Sequence, residues 1–152
     1  MGYLDSMDTS ASGLTAQRLR MDTIANNMAN VETTRVENGT GPYRRQVVVF
    51  EARDPKTSRS KFRTMLEGKT ASHYTGVRVK EIKELQEDEA PFRKVYDPAH
   101  PDAGEDGYVN YPNVNIVEEM INMISSSRAY EANAKVIEAS KSMAMRALDI
   151  GR

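Results

Sequence analysis

The sequence predicts an α+β protein. A long helix at each end of the chain would contribute to a coiled-coil-like stalk, and the residues between would form a small antiparallel β-rich domain. Apolar residues recur at helical spacing from about Leu4 to Val31 and again from Ile116 to Ile150. The residues between these segments carry turn signals and short β-branched runs. We therefore expect three parts: an N-terminal helical segment (1–31), a small β-rich middle domain (32–114) and a long C-terminal helix (115–152).

The N-terminal helix is predicted to carry a heptad seam. An apolar side chain recurs at every seventh residue, which places these side chains on one stripe of a helix. The seventh-residue positions and the half-steps between them are Met7, Leu14, Met21 and Met28, and Leu4, Ala11 and Ala25. Arg18 interrupts the pattern once. Such a stripe is typical of a helix that packs lengthwise against another helix.

The C-terminal helix is predicted to present a broader apolar face, made of two adjacent rows. The first row contains Ile116, Met120, Met123, Ser127, Tyr130, Ala134, Ile137, Lys141, Ala144 and Leu148. The second row contains Val117, Ile121, Ile124, Val136, Ser140, Met143, Ala147 and Ile150. Because two rows exceed what a two-stranded coiled coil needs, we expect more than one neighbour along this helix.

The start of the C-terminal helix is marked by its own residues. Pro112 ends the preceding segment, Asn115 can cap the helix, and Glu118 is placed to reach back to the cap nitrogen as in a capping box. From Asn115 to Ile150 the helix would be roughly 54 Å long at 1.5 Å per residue. That length exceeds the width of a small domain, so we expect the helix to project beyond any core that this chain builds alone.

The middle of the chain is predicted to contain four short strands separated by turns. The strands are Tyr43–Glu51, Gly76–Glu81, Phe92–Tyr96 and Tyr108–Tyr111. The turn signals are Asn38-Gly39, Gly41-Pro42, Asp97-Pro98, His100-Pro101 and Asp106-Gly107. The basic stretch 53–69 matches no pattern, so its fold and contacts are not predicted.

Bulk properties exclude several classes of protein. The chain has 21 basic and 22 acidic residues, which gives no electrostatic footprint for nucleic acid. It has no Cys, hence no disulfide and no thiol nucleophile. No apolar run approaches the roughly 20 residues that cross a bilayer, so we expect no membrane insertion. The amino terminus lacks signal-peptide features, and we expect any export to use a dedicated machine without a cleaved signal.

No catalytic or metal-binding arrangement is predicted. His73 and His100 have no ligand spacing, and the acidic pair Glu118 and Glu119 is expected to be solvated or helix-starting. The loop Asp102–Gly107 resembles the start of a calcium loop, but Gly104 and Asn113 replace two of its ligands. We expect no catalytic residue, no cofactor and no metal, and we expect that the chain is not an enzyme.

Several blocks of sequence resemble the bacterial flagellar rod and hook proteins. Two lie near the amino terminus: Ser12-Gly13-Leu14-Thr15-Ala16-Gln17 and Ile24-Ala25-Asn26-Asn27-Met28-Ala29-Asn30-Val31-Glu32-Thr33-Thr34. Others, similar to the proximal rod members, are Gly41-Pro42-Tyr43-Arg44-Arg45, Val95-Tyr96-Asp97-Pro98-Ala99-His100-Pro101-Asp102, Gly107-Tyr108-Val109, Pro112-Asn113-Val114 and Ser127-Arg128-Ala129-Tyr130-Glu131-Ala132-Asn133. The blocks occur in order over nearly the whole chain.

This resemblance implies a structural subunit of the flagellar basal-body rod in the cell envelope. The terminal helices would pack into a helical tube that transmits torque for motility, with the middle domain facing outward. Its partners would be other flagellar rod proteins, copies of itself and the flagellar type III export apparatus. A soluble homo-oligomeric coiled-coil adaptor is the alternative. The two seams could also pair within one chain as a closed antiparallel hairpin with no open surface.

The candidate subunit-packing residues lie on both helices. The apolar candidates are Leu4, Met7, Leu14, Met21, Ile24, Met28, Met120, Ile124, Ile137, Met143 and Leu148. At the end of the first helix, the resemblance implies that certain polar side chains bond backbone groups and fix the exit of the chain; these are Asn26, Asn27 and Asn30. Tyr130 and Asn133, one helical turn apart, are expected to be interfacial anchors. Arg128 would pair with a neighbouring subunit.

Overall fold

The computed structural model of the chain describes residues 3–36, 41–53, 76–86, 88 and 90–150. These described residues form two long helices and four short strands, which confirms the α+β class. In chain order they are α1 (Tyr3–Ala29), β1 (Gln46–Ala52), β2 (Val77–Glu84), β3 (Arg93–Tyr96), β4 (Tyr108–Tyr111) and α2 (Ile116–Ile150). Neither helix, over these residues, is long and apolar enough to span a bilayer. After Arg53, the basic stretch 53–69 lies outside the described residues.

Helix α1 ends at Ala29, slightly earlier than expected, because Asn30 terminates it. Asn30 donates to the Asn26 carbonyl oxygen from its backbone N at 3.1 Å and from its side-chain Nδ2 at 2.9 Å. Its Oδ1 accepts from Thr33 Oγ1 at 3.1 Å. The side chain therefore adds a second hydrogen bond to a last-turn carbonyl and links the end of the helix to Thr33.

At the start of helix α2, only one of the two hydrogen bonds of the predicted capping box is present. Asn115 Oδ1 accepts from Val117 N at 3.0 Å, so the predicted N-cap is confirmed. Glu118 was expected to reach back to Asn115, and this was wrong. Its Oε2 atom lies 3.8 Å from Nη1 of Arg45, a cation that offers the carboxylate a stronger attraction than a backbone N–H does.

The four strands form two separate two-stranded sheets, β1 with β2 and β3 with β4. Leu85 N donates to Arg45 O at one end of the first pair, and Arg53 N donates to Gly76 O at the other, so β1 and β2 are antiparallel. The antiparallel partners in the second pair are Arg93 and Tyr111, Lys94 and Asn110, Val95 and Val109, and Tyr96 and Tyr108. The predicted strands are therefore confirmed, with small shifts at their ends.

The chain divides into two compact units. Unit 1 comprises Met1–Arg18, Phe50–Lys80 and Arg128–Arg152, and unit 2 comprises Leu19–Val49 and Glu81–Ser127. Each unit takes part of α1, part of the β1–β2 sheet and part of α2, and so joins segments that are distant in sequence. The division at residues 32 and 115, made on sequence alone, stays a prediction.

In unit 1, a close approach between α1 and the start of β2 requires a glycine. Val77 N donates to Ser12 Oγ at 3.0 Å, and Ser12 Oγ donates to Thr9 O at 2.7 Å. Gly76 has a φ of +94°, and a Cβ at this position would overlap Ser12 Oγ. A side chain is thus excluded both by the backbone conformation and by the neighbouring hydroxyl.

We expect Gly76→Ala to lower the free energy of unfolding by about 2 kcal/mol, because it combines backbone strain with a steric clash. Urea unfolding followed by circular dichroism measures this change. Gly104→Ala is the control, since a Cβ there would lie 3.7 Å from Tyr108 O, an ordinary contact. If both variants lost the same amount of stability, the proposed requirement for glycine at position 76 would be contradicted.

Candidate functional site: a buried polar junction and an exposed apolar helix face

Unit 2 contains a buried polar cluster where the end of α1, the chain entering β1 and the first turn of α2 meet. This cluster, termed the polar junction, consists of Asn27, Tyr43, Arg45, Gln46 and Glu119. Asn27 and Glu119 are each 1% exposed. Buried polar groups are costly unless they are hydrogen-bonded, so the bonds inside the junction decide whether it stabilises the unit.

The side-chain amide of Asn27 pairs with both backbone groups of Gln46, in the way that a backbone peptide group would. Its Nδ2 donates to Gln46 O at 2.8 Å, and its Oδ1 accepts from Gln46 N at 2.9 Å. The same Oδ1 accepts from Tyr43 OH at 2.9 Å. A primary amide supplies both donors and an acceptor, so one side chain holds the end of α1 on the first residue of β1. The expected bonding of asparagines to backbone groups is confirmed here for Asn27.

Glu119 places a carboxylate in the interior, and both of its oxygens have partners. Oε1 accepts from Arg45 Nε at 2.8 Å and also from Arg45 Nη2. Oε2 accepts from Asn27 Nδ2 at 3.3 Å. Taking a carboxylate out of water costs several kcal/mol unless a cation and hydrogen bonds compensate. Arg45 and Asn27 provide that compensation, and they tie the first turn of α2 to the rest of unit 2.

Tyr43 completes the junction as a neutral phenol. Burial raises the pKa of Tyr43 above its ordinary value, and the negative charges of Glu84 and Glu119 raise it further. Both causes act against the phenolate form. The hydroxyl therefore stays a hydrogen-bond donor to Asn27 Oδ1 at neutral pH.

A second tie in unit 2 joins the β3–β4 loop to the chain after α1. Asp102 Oδ2 accepts from Thr34 Oγ1 at 2.8 Å, and Asp102 Oδ1 lies 3.4 Å from Arg35 Nη2. The loop that resembled the start of a calcium site is thus a hairpin connection whose first acid binds its own chain. Among the described residues, no group of three or more His, Cys, Asp or Glu side chains could hold a metal ion.

Helix α2 has a polar buried face and an apolar exposed one. The residues at every seventh position that are buried or half-buried are Glu119, Ser126, Asn133 and Ser140. In unit 2 the exposed large apolar side chains of the helix form what we term the apolar stripe, which consists of Ile116, Val117, Met120, Ile121 and Ile124. In unit 1 the exposed large apolar side chains of the helix are Tyr130, Val136, Met143, Met145, Leu148 and Ile150.

The two helices contact each other within the chain through polar and small residues. In unit 2, Arg20 Nη2 donates to Asn122 Oδ1 at 3.5 Å, and Asn27 binds Glu119, so the helices run antiparallel there. In unit 1, a Cβ on Gly13 would lie 2.9 Å from Asn133 Nδ2. A hairpin is therefore present, but it is not closed, because large apolar side chains of α2 such as Met120, Ile124 and Leu148 stay exposed.

The candidate packing residues fall into groups by burial. The exposed ones are Asn26, Met120, Ile124, Arg128, Tyr130, Met143 and Leu148. The half-buried ones are Met7, Leu14, Met21, Met28, Asn30, Asn133 and Ile137. Ile24 and Asn27 are buried within this chain, and the side chain of Leu4 lies outside the described part. Packing against neighbouring subunits stays a prediction for this set.

Sequence reasoning missed most of the polar junction. Of the two expectations for Glu119, the helix-starting one is confirmed, since the residue lies in the first turn of α2. The solvated one was wrong, because Arg45 and Asn27 together compensate the burial of Glu119. One signal was available in the sequence, namely the seven-residue recurrence of polar residues at Glu119, Ser126, Asn133 and Ser140. This signal was overlooked because the buried face of the helix was expected to be the apolar one.

Two protein families match the ends of this chain, and known proteins match it over nearly its whole length. Residues 7–35 match the family described as "Flagella basal body rod protein", and residues 105–150 match "Flagellar basal body rod FlgEFG protein C-terminal". The flagellar basal-body rod protein FlgC of Borreliella burgdorferi is 48% identical, with 99% of this chain and 98% of the relative covered. FlgC of Bacillus subtilis is 43% identical and FlgC of Salmonella typhimurium 35%, with 100% of both chains covered in each case.

These matches define the class of protein as a structural subunit of the flagellar basal-body rod. Within that class, the chain belongs to the FlgC family of rod proteins. The resemblance found in the sequence blocks is confirmed. Membership of the rod also means that the subunit interacts with other rod proteins.

Arg45→Met should lower the free energy of unfolding by about 3–5 kcal/mol, because it leaves the buried Glu119 carboxylate without its cation. Arg35→Met is the matched control. The Arg35 side chain is 78% exposed where it pairs with Asp102, so its loss should cost no more than about 1 kcal/mol. Chemical unfolding of both variants measures the difference. A cost for Arg45→Met as small as the control would show that the junction does not stabilise the fold.

The raised pKa of Tyr43 predicts a loss of stability in alkali. Because the pKa is higher in the folded state, the neutral phenol contributes to the stability of the fold. This contribution is fully present below the ordinary pKa of 10.0, and it is lost as the pH rises through the folded-state pKa. Tyr43→Phe should be about 1 kcal/mol less stable at neutral pH and should lose less stability above pH 10. The free energy of unfolding, measured for both proteins as a function of pH, tests this prediction, and the difference in tyrosinate absorbance between them reports the pKa of Tyr43. If the two proteins lost stability equally above pH 10, the prediction would be contradicted.

Proposed function

We propose that the exposed apolar face of α2 packs against neighbouring subunits in the helical tube of the rod, and that this packing transmits torque. The observation that carries the proposal is the exposure of large apolar side chains along the helix, including Ile124 at 53% and Leu148 at 71%. A soluble monomer rarely clusters so many exposed large apolar side chains on one helix. Each of these side chains contributes about 1.5–3 kcal/mol when it is fully buried.

The polar junction supports the same proposal. Torque passes through a subunit only if its elements do not slide past one another. Asn27 and Glu119 bind across the end of α1, the entry to β1 and the start of α2, so they resist such sliding in unit 2. These contacts are polar and directional, which specifies one geometry without using the apolar stripe.

We further propose that the chain is not an enzyme, and that it reaches the rod through the flagellar export apparatus. The polar groups of the junction are engaged with one another, as in a structural cluster, rather than directed at a ligand. The partners are copies of this chain and other rod proteins. An exposed apolar helix face would also suit a closed coiled-coil oligomer, so the proposal requires that packing between copies stays open.

Sedimentation velocity over a wide concentration range separates open packing from a closed oligomer. With open packing, the chain should be a monomer or grow without a fixed end point, because its contacts do not close. A closed oligomer should stop at a discrete dimer or tetramer. A discrete oligomer that resists dilution would overturn the rod-packing proposal.

Ile124→Asp should abolish swimming by preventing rod assembly, while leaving the purified subunit folded. The expectation rests on the exposure of Ile124, since a charge there costs little in the free chain but is buried in the assembly. Ser125→Asp, at the neighbouring exposed polar position, is the control and should swim normally. Swimming assays with isolation of basal bodies read the result. Normal swimming by Ile124→Asp would sink the proposal.

A further inference from the structure

The β3–β4 hairpin presents a second exposed surface in unit 2. The antiparallel register places Lys94, Tyr96, Tyr108 and Asn110 on one side of the hairpin, and all four are exposed. Val109, on the opposite side, is buried. These four residues are termed the tyrosine face, and it points away from the core of the unit.

The two tyrosines of this face are held in a fixed arrangement. Tyr96 is 65% exposed and Tyr108 is 50% exposed, and their ring centroids lie 5.3 Å apart in an edge-on arrangement. Gly107 has a φ of +74°, and a Cβ there would lie 2.9 Å from Tyr96 Cε2. The glycine therefore leaves room for the ring. Exposed aromatic side chains that are already ordered are typical anchors of protein interfaces, because binding costs them little entropy.

The apolar stripe of α2 lies in the same unit and complements this face. It offers aliphatic and thioether side chains, onto which aromatic rings pack well. Glu118 lies beside the stripe with a side chain that is 58% exposed, and Lys94 lies beside the tyrosines. The two surfaces thus match in apolar character, and Lys94 offers a positive charge to Glu118, whose partner in its own chain, Arg45, is 3.8 Å away and is shared with Glu119.

Symmetry excludes one way of covering the stripe between copies of this chain. If the stripe of one copy packed on the stripe of another about a two-fold axis, the contact would be isologous and would close as a dimer. A subunit of a helical tube needs a heterologous contact, in which two different surfaces meet and growth continues. A second copy that covers the stripe therefore uses a different surface, and the tyrosine face has the chemistry to fit it.

We propose that the tyrosine face of one copy of this chain docks on the apolar stripe of the next copy, with Lys94 directed toward Glu118. This inference rests on the proposed function of the exposed face of α2, and it names the surface that covers part of that face. Tyr96 and Tyr108 would pack over Met120 and its neighbours. The contact is head-to-tail and so adds subunits without closing.

Cysteine cross-linking tests the contact, since the chain has no Cys of its own. Tyr108→Cys and Met120→Cys would be made as single variants with different tags and produced together in a motile host. The host lacks its own copy of the gene and regains swimming with the wild-type chain. After mild oxidation we expect a mixed dimer joining the two tags. When Ser125→Cys takes the place of Met120→Cys, we expect at least about tenfold less mixed dimer, because Ser125 lies off the stripe and a disulfide forms only between residues whose Cα atoms are within about 7 Å.

Each result decides the inference. Swimming cells without the mixed dimer would overturn it, as would same-variant dimers in its place or a cross-link to a different protein. If the cysteine variants do not swim, a photoreactive benzoylphenylalanine at Tyr96 keeps the aromatic ring and reads the same contact. Its adduct should map to a peptide that contains residues 116–124, and an adduct elsewhere would overturn the inference.

The two experiments distinguish a failure of this inference from a failure of the proposed function. If Ile124→Asp prevents assembly but the adduct from Tyr96 maps elsewhere, the packing role of α2 stands and the named contact falls. If Ile124→Asp assembles normally, the packing role and the named contact both fall.

Discussion

The buried carboxylate of Glu119 is the constraint on which the rest of unit 2 depends. Placed at the start of α2 and removed from water, it is tolerable only with a cation and hydrogen-bond donors beside it. Arg45, just before β1, supplies the cation, and Asn27, near the end of α1, supplies the donor. Three segments that are distant in sequence are therefore brought to one point, and Tyr43 and Gln46 complete the bonding around Asn27.

Polar contacts hold α2 within the chain, and much of its apolar surface stays exposed. In most small proteins the apolar face of a helix is used to fold the chain itself. Here the intrachain face of α2 carries Glu119, Ser126, Asn133 and Ser140, while the apolar stripe is exposed. Directional polar bonds specify the geometry of the subunit, and under the proposed function the exposed apolar side chains are buried by the hydrophobic effect on assembly. This division suits a protein that must have a defined shape and must also polymerise.

Sequence blocks typical of the family have identifiable tasks within the chain. Ser12, in the first block, accepts the Val77 N–H and lies against Gly76, where no side chain fits. Asp102, at the end of another block, binds Thr34 and Arg35 and so ties the hairpin loop to the chain after α1. These residues position backbone segments, which explains why they are small or short polar side chains rather than apolar ones.

The sequence by itself determined the helices, the four strands and the family, because these depend on local periodicity, turn residues and matching blocks such as Ile24–Thr34. It did not determine which face of α2 turns inward. Periodicity groups residues into stripes but does not state what covers each stripe, and burial of Glu119 requires Arg45, which is 74 residues away in sequence. Only the tertiary structure decided this, since the stability of a buried charge depends on partners that chain folding brings near.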